Sequence, residues 1–247
     1  MTTIAALMSF YADDADMIER AIRSVDGLAT HLIAVDGAYD SFPGGEPHSA
    51  AETCQRVRET AEAIGVDLLF YSPAEVWARG EQEKRDRMYR MADATGADWY
   101  TVLDADFVFE YPLGIHAVFD ALEDAHGFEV CDVDLRTPLK TEAGEWETTE
   151  QALPLFYRAA GLAPIRIGPT HYHTYREGSG THLWGCGQTP QVPHFDMRAA
   201  VRVQHEWFRR DENRQASRWA YYMNRDGQQL EKNPFAKQLV AAMAEEE

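Results

Sequence analysis

Between residues 3 and 103, four short apolar runs alternate with three helix-patterned segments, and that rhythm leaves few folds open to the chain. The runs are Thr3–Phe10 (TIAALMSF), His31–Val35 (HLIAV), Val66–Tyr71 (VDLLFY) and Tyr100–Leu103 (YTVL). None shows a clean alternation of apolar and polar residues, as expected of strands covered on both faces. A helix starting near Asp13 or Asp14 keeps Met17, Ala21, Ile22 and Val25 at helical spacing and stops at Gly27. Ser49–Ile64 aligns Val57, Ala61 and Ile64, and Glu81–Ala94 is a strongly charged helix. Strands and helices in this order predict a parallel sheet with right-handed crossovers.

Ligands of such sheets bind beyond the carboxyl ends of the strands. Four predicted ends bring Tyr11, Asp36, the Ser72 region and the pair Asp104/Asp106 to one rim. Side chains two apart on an extended chain share a side, so Asp104 and Asp106 are expected to converge, with Ala105 pointing away. Carboxylates that close repel, and a hard divalent cation such as Mg²⁺ or Mn²⁺ relieves the repulsion while holding a phosphate-bearing substrate. Asp-x-Asp also occurs as a solvated turn or a helix cap. Here it directly follows a buried run, and Phe107–Phe109 resumes the apolar pattern.

The net charge of −18 argues against a broad nucleic-acid-binding face, which needs clustered Lys and Arg. The N-terminus lacks a basic segment before its apolar run, and no run approaches membrane-spanning length. Cys54, Cys131 and Cys186 are odd in number and widely spaced, which reads as buried or incidental thiols of a cytoplasmic protein. Leu113–Ala125 is a further helix, and Phe128–Arg136 alternates like a strand with one wet face. Thr137–Glu150 is a hairpin or loop, and Leu153–Arg158, Ala163–Ile167 and Ala200–Val203 are short strands. Gly168–Gly187 is irregular, and Arg210–Leu230 is a polar helix.

The opening strand with Tyr11, the segment LIAVDGAYDS and the segment EKRDRMYRMADATGADWYTVLDAD together resemble a family-2-type glycosyltransferase of the GT-A fold. More loosely, VRVQHEWFRRDENRQASRWAYY is similar to that family's late strand ending in a metal-ligand His, followed by a basic and aromatic helix. The resemblance implies a Rossmann-like, mostly parallel sheet flanked by helices. The whole chain, 1–247, would be one domain: 1–110 the nucleotide-binding half, 111–247 the acceptor-side half with a C-terminal helix. It further implies a metal-dependent transfer from a nucleotide-diphosphate sugar, UDP-sugars favoured. Asp36 would contact the base and Asp104 the ribose or metal-bound water. Asp106 would bind Mn²⁺ or Mg²⁺ directly, with His205 completing the site. Lys84 or Arg85 would lie near the phosphates.

Two departures stand out. The loop after Asp36 carries Tyr39 and SFPGGEP in place of the family's Ser-Thr-Asp turn, and no acidic catalytic base is identifiable. His171, His173 and Glu177 are the candidates for taking the acceptor's proton. The acceptor itself is open among a protein, a glycan, a small molecule and a modified nucleobase. Trp184, Trp207, Trp219, Tyr221 and Tyr222 read either as a sugar-stacking platform or as core. Two rival readings are a catalytically silent nucleotide- or glycan-binding module and a sugar nucleotidyltransferase. The second lacks its usual Gly-rich basic loop, because Phe10-Tyr11-Ala12-Asp13 occupies that position.

Overall fold

A computed structural model describes residues 2–40, 46–140, 146–168, 173–184 and 189–206. The first half follows the predicted rhythm: β1 (Ile4–Ser9), α1 (Ala15–Arg23), β2 (His31–Val35), α2 (Ala51–Ala63), β3 (Asp67–Tyr71), α3 (Gly80–Asp93) and β4 (Trp99–Val102). Helix α1 starts where it does because the Asp14 carboxylate accepts from the Asp16 and Met17 N–H groups, two donors the first turn leaves unpaired. Its Met17, Ile18, Ala21 and Ile22 are buried. Burying each of the larger three contributes about 1.5–3 kcal/mol.

After β5 (Phe107–Glu110) and α4 (Ile115–Asp124) come two long strands, β6 (Val130–Lys140) and β7 (Trp146–Arg158), paired as an antiparallel hairpin. Short strands follow: β8 (Ile165–Ile167), β9 (Thr174–Arg176), β10 (His182–Trp184), β11 (His194–Asp196) and β12 (Arg202–His205). The Gly168–Gly187 stretch expected to be irregular therefore holds two of them. The C-terminal helix expected over 210–230 lies outside the described residues, as do Cys186, Trp207, Trp219, Tyr221 and Tyr222.

The large sheet runs β3-β2-β1-β4-β7-β6-β12-β5, with β11 beside β6, and β10-β9-β8 form a separate small sheet. The block β3-β2-β1-β4 is parallel, and β7 enters antiparallel beside β4. This is a Rossmann-like α/β fold, its parallel block flanked by helices on both faces. The order reverses at β1, with β2 on one side and β4 on the other. Right-handed crossovers therefore put α1 and α2 on one face, packed together, and α3 on the other, against β1 and β2. The main buried apolar cluster extends from Ile4 in β1 to Val203 in β12. No helix among the described residues is long and apolar enough to cross a membrane.

Strand β4 stops at Val102, and this corrects the geometry expected of the Asp pair. The Phe107 N–H donates to the Asp104 carbonyl at 2.9 Å, closing a tight turn over Asp104–Phe107. The two carboxylates are therefore arranged by a turn and not by strand alternation.

Candidate functional site

The reversal of strand order at β1 opens the sheet's rim between the ends of β1 and β4, where ligands of such sheets sit. Three groups of side chains meet along this rim.

The first is built around Asp36, which follows β2 and is wholly buried. Its carboxylate accepts from the Ser49 N–H at 3.0 Å, the Ser49 hydroxyl at 2.6 Å, the Ser72 hydroxyl at 3.0 Å and the Cys54 thiol at 3.5 Å. Burial, then the Asp36 charge, pushes the Cys54 thiol up to about 11. Ser49 Oγ in turn accepts the Ala12 N–H at 2.8 Å. That bond holds Ala12 at φ 47°, a left-handed conformation costing a non-glycine residue about 1–2 kcal/mol. Gly37 has φ 115°, and a Cβ there would stand 2.7 Å from both Pro73 Cγ and Trp77 Nε1. Lys84 is 1% exposed, and its ammonium donates to the carbonyls of Phe10 and Gly37, tying the ends of β1 and β2 together. Tyr11 is buried against Ala38, Tyr39 and Val76, and its hydroxyl donates to the Glu46 carbonyl at 2.7 Å.

The second group surrounds Asp104. Arg85, in the second turn of α3, donates from Nη2 to Asp104 Oδ1 at 3.0 Å and from Nε to Glu81 Oε1 at 2.8 Å. All three side chains are buried. Arg85 thus meets the carboxylate of the Asp pair that was expected to bind ribose.

The third group joins distant parts of the chain. β12 pairs antiparallel with β5, placing His205 opposite Phe107, and the Glu206 N–H extends that ladder to the Asp106 carbonyl at 2.7 Å. The register sets His205 Nε2 3.2 Å from Asp106 Oδ2. The His205 ring stands edge-on to Phe107, and Thr137 Oγ1 of β6 lies 3.4 Å from its Nδ1. The Glu206 carboxylate pairs with Arg20 of α1, fastening the end of β12 to the first helix. Asp104 and Asp106 are 8% and 3% exposed, so neither faces open water.

Whether this rim fits a divalent ion can be judged from spacing. Ligands about 2.1 Å from one ion and at right angles to each other lie about 3.0 Å apart. Asp106 Oδ2 and His205 Nε2 have the separation of two such neighbours. The expected triad of Asp104, Asp106 and His205 is not assembled, because no group of three or more His, Cys, Asp or Glu side chains forms a cage among the described residues. Asp106 and His205 are thus the pair that would hold a divalent ion here, a carboxylate oxygen beside an imidazole nitrogen.

The proposed proton acceptors fare unequally. His171 lies outside the described residues. His173 immediately precedes β9 at 9% exposure, its ring centroid 6.3 Å from that of His182, and its carbonyl accepts the Gly168 N–H. Gln82, in the first turn of α3, donates to the Ile167 carbonyl at 3.1 Å, so this end of the β8–β9 pair faces the rim. Glu177 lies at the other end. It pairs with Arg166 at 2.9 Å, and Arg166 also holds Asp93 in the last turn of α3. Helix α3 begins at the rim and runs back beneath the sheet, so its last turn is about 20 Å from its first. That position removes Glu177 from the set of groups facing the rim. The Ser72 region was expected at the rim, whereas Ser49, Glu81 and Thr137 were not singled out from sequence. Glu81 alone left a signal there, standing four residues before Arg85. A cavity of about 600 Å³ lined by Asp134, Glu150, Gln151, Asp196 and Arg198 opens away from this site. Asp134 and Thr137 have opposite parity on β6, so it lies on the face of the sheet away from His205.

The fold defines the protein as a Rossmann-like α/β protein with an acidic rim and a histidine delivered from late in the chain. No family model matches the sequence, and no curated protein matches it. Among solved structures it is similar to glucosyl-3-phosphoglycerate synthase from Mycobacterium tuberculosis. The form with Mn²⁺ and UDP-glucose is 21% identical at a TM-score of 0.36, the match covering 55% of this chain and 44% of that one. The form with Mg²⁺ and UDP is 17% identical at a TM-score of 0.34, covering 54% and 44%. The match thus spans less than half the length of those enzymes.

Proposed function

We propose that this protein is a metal-dependent glycosyltransferase that takes its sugar from a nucleotide-diphosphate donor, a UDP-sugar being favoured. Supporting the reading above all is the 3.2 Å approach of His205 to Asp106, residues 99 apart in sequence, at the rim where the strand order reverses. Residues 1–110 would form the nucleotide side of one domain and 111–247 the acceptor side.

Asp106 and His205 would hold Mn²⁺ or Mg²⁺, which when bound neutralises charge on the departing diphosphate. Thr137 fixes the His205 ring from its Nδ1 side, which supports presentation of Nε2 to the rim. Arg85 holds Asp104 in place and adds positive charge near the phosphates. Asp36, with its oxygens engaged by Ser49 and Ser72, shapes the base pocket by ordering the loops around it. Tyr11 offers an aromatic wall there. His173, with His171 from the same segment, is the candidate to accept the acceptor hydroxyl's proton.

Thermal-shift measurements with UDP, GDP, TDP and CDP, each with and without Mn²⁺, test the reading. Stabilisation by one diphosphate should require the metal, vanish in Asp106→Ala and weaken in His205→Ala. If no nucleotide raises the melting temperature with either metal, the proposal fails. A silent nucleotide-binding module is the second reading, favoured by the engagement of Asp104 with Arg85. It predicts binding without hydrolysis of any nucleotide-sugar.

A further inference from the structure

One imidazole away from the rim has two partners, and both can only accept. His194 Nδ1 lies 2.9 Å from Asp132 Oδ1, and its Nε2 lies 2.9 Å from the Leu183 carbonyl oxygen. A neutral imidazole has one N–H and one lone pair. In that form it can satisfy one of these oxygens while setting a lone pair against the other. Protonated, the ring donates to both. The His194 side chain is only 12% exposed, so water has little access to take over either bond.

The two partners belong to different sheets. Asp132 is in β6 and His194 in the neighbouring β11, both in the large sheet, whereas Leu183 is in β10 of the small one. We propose that His194 is a charged latch fastening the small sheet to the large one, closed while the ring holds two protons and released when it loses one. The inference does not depend on the transferase reading.

The surrounding charges favour the closed form. On β6, Asp132 carries the counter-charge beside the buried Cys131 thiol, and Asp134 is occupied by Arg136 at 2.9 Å and Arg202 at 3.3 Å. At the end of β11, Asp196 and Arg198 pair with each other at 2.7 Å. From β7 comes the buried, neutral Tyr157, and from β10 His182, whose backbone N–H is bound by Gln191. Burial opposes the charge on His194, but the hydrogen bonds to Asp132 and Leu183 and the Asp132 charge outweigh it and raise its pKa. A raised folded value means that the latch contributes fully below the unfolded value of about 6.5. Its contribution is lost as pH rises through the higher folded value. Loosening β10 also loosens β9, its partner, which follows His173 near the rim.

Imidazole NMR of the intact protein, titrated from about pH 5 to about pH 9 with His194→Gln used for assignment, tests the latch. The His194 ring should be more than half doubly protonated at about pH 6.5 and titrate above it. Asp132→Asn should move that titration down. Hydrogen exchange at the β10 amides, corrected for intrinsic rates, should speed up as pH rises, by about tenfold for each unit of separation between folded and unfolded values. In His194→Gln these amides should exchange faster than in the wild type at about pH 6, with no such dependence. A His194 ring that titrates at or below about 6.5, or β10 protection that does not change with pH, overturns the latch. The titration uses the unaltered protein, so it decides the matter even if the variants do not fold.

Discussion

Replacing Asp36 with Ala should destabilise the protein by about 3–5 kcal/mol. The wholly buried carboxylate receives three close donors, the Ser49 N–H, the Ser49 hydroxyl and the Ser72 hydroxyl, at 2.6–3.0 Å. Hydrogen bonds to a charged acceptor contribute about 1.5–3 kcal/mol each, so about 4.5–9 kcal/mol is the upper bound. Removing the charge also removes its own desolvation cost, which brings the expected loss to the bottom of that range and below, about 3–5 kcal/mol. Against a total stability of about 5–15 kcal/mol this is a large fraction. Asp36→Asn keeps one acceptor and should lose about 1–2 kcal/mol. Urea unfolding followed by fluorescence of the buried Trp77 and Trp99 measures both variants. A loss below about 1 kcal/mol for Asp36→Ala would refute the role of this carboxylate as the tie between the loops after β1, β2 and β3. If instead Asp36→Asn keeps full stability and loses nucleotide binding, Asp36 contacts the base directly.

Two further outcomes follow from the burial of charged and reactive groups. Arg85→Met leaves Glu81 and Asp104 buried without their shared guanidinium and should cost about 3–5 kcal/mol in urea unfolding, partly recovered by adding Glu81→Gln. A loss below about 1 kcal/mol would show that this cluster is not held by its charge. The Cys54 thiol is pushed up to about 11 by burial and then by Asp36, and the Cys131 thiol to about 12 by burial and then by Asp132. In a Cys186→Ser background at about pH 8, iodoacetamide should modify neither until urea unfolds the chain, as read by peptide mass spectrometry. Modification of the native protein would contradict their burial.

Much of the first half was legible because its signals are local. Apolar runs bounded by polar residues placed β1 to β4 within a residue or two, and the start of α1 was expected at Asp13 or Asp14, of which Asp14 is the cap, because a cap acts on its own first turn. The alternation of strands and helices then determined a parallel block, since a right-handed crossover is nearly the only way to connect such strands. Local pattern failed where two conformations share one composition. Asp104-Ala105-Asp106 satisfies both a strand end and a turn, and the hydrogen bond from Phe107 to Asp104 selects the turn.

Orientation was the other thing the sequence left open. Lys84 and Arg85 are neighbours on α3, but consecutive helical side chains diverge by about 100°, so one ties strand carbonyls while the other meets Asp104. His173 and Glu177 occupy opposite ends of one short hairpin, and only its packing against α3 says which end faces the rim. The amino-acid sequence by itself determined the parallel sheet and which carboxylates stand at its edge, because those follow from contacts between residues near in the chain. Residue pattern did not reveal that His205 meets Asp106, which only the family resemblance implied, or that His194 bridges two sheets; the tertiary structure decided both. Each depends on the register between strands separated by long stretches of chain, where a shift of one residue turns every side chain to the opposite face.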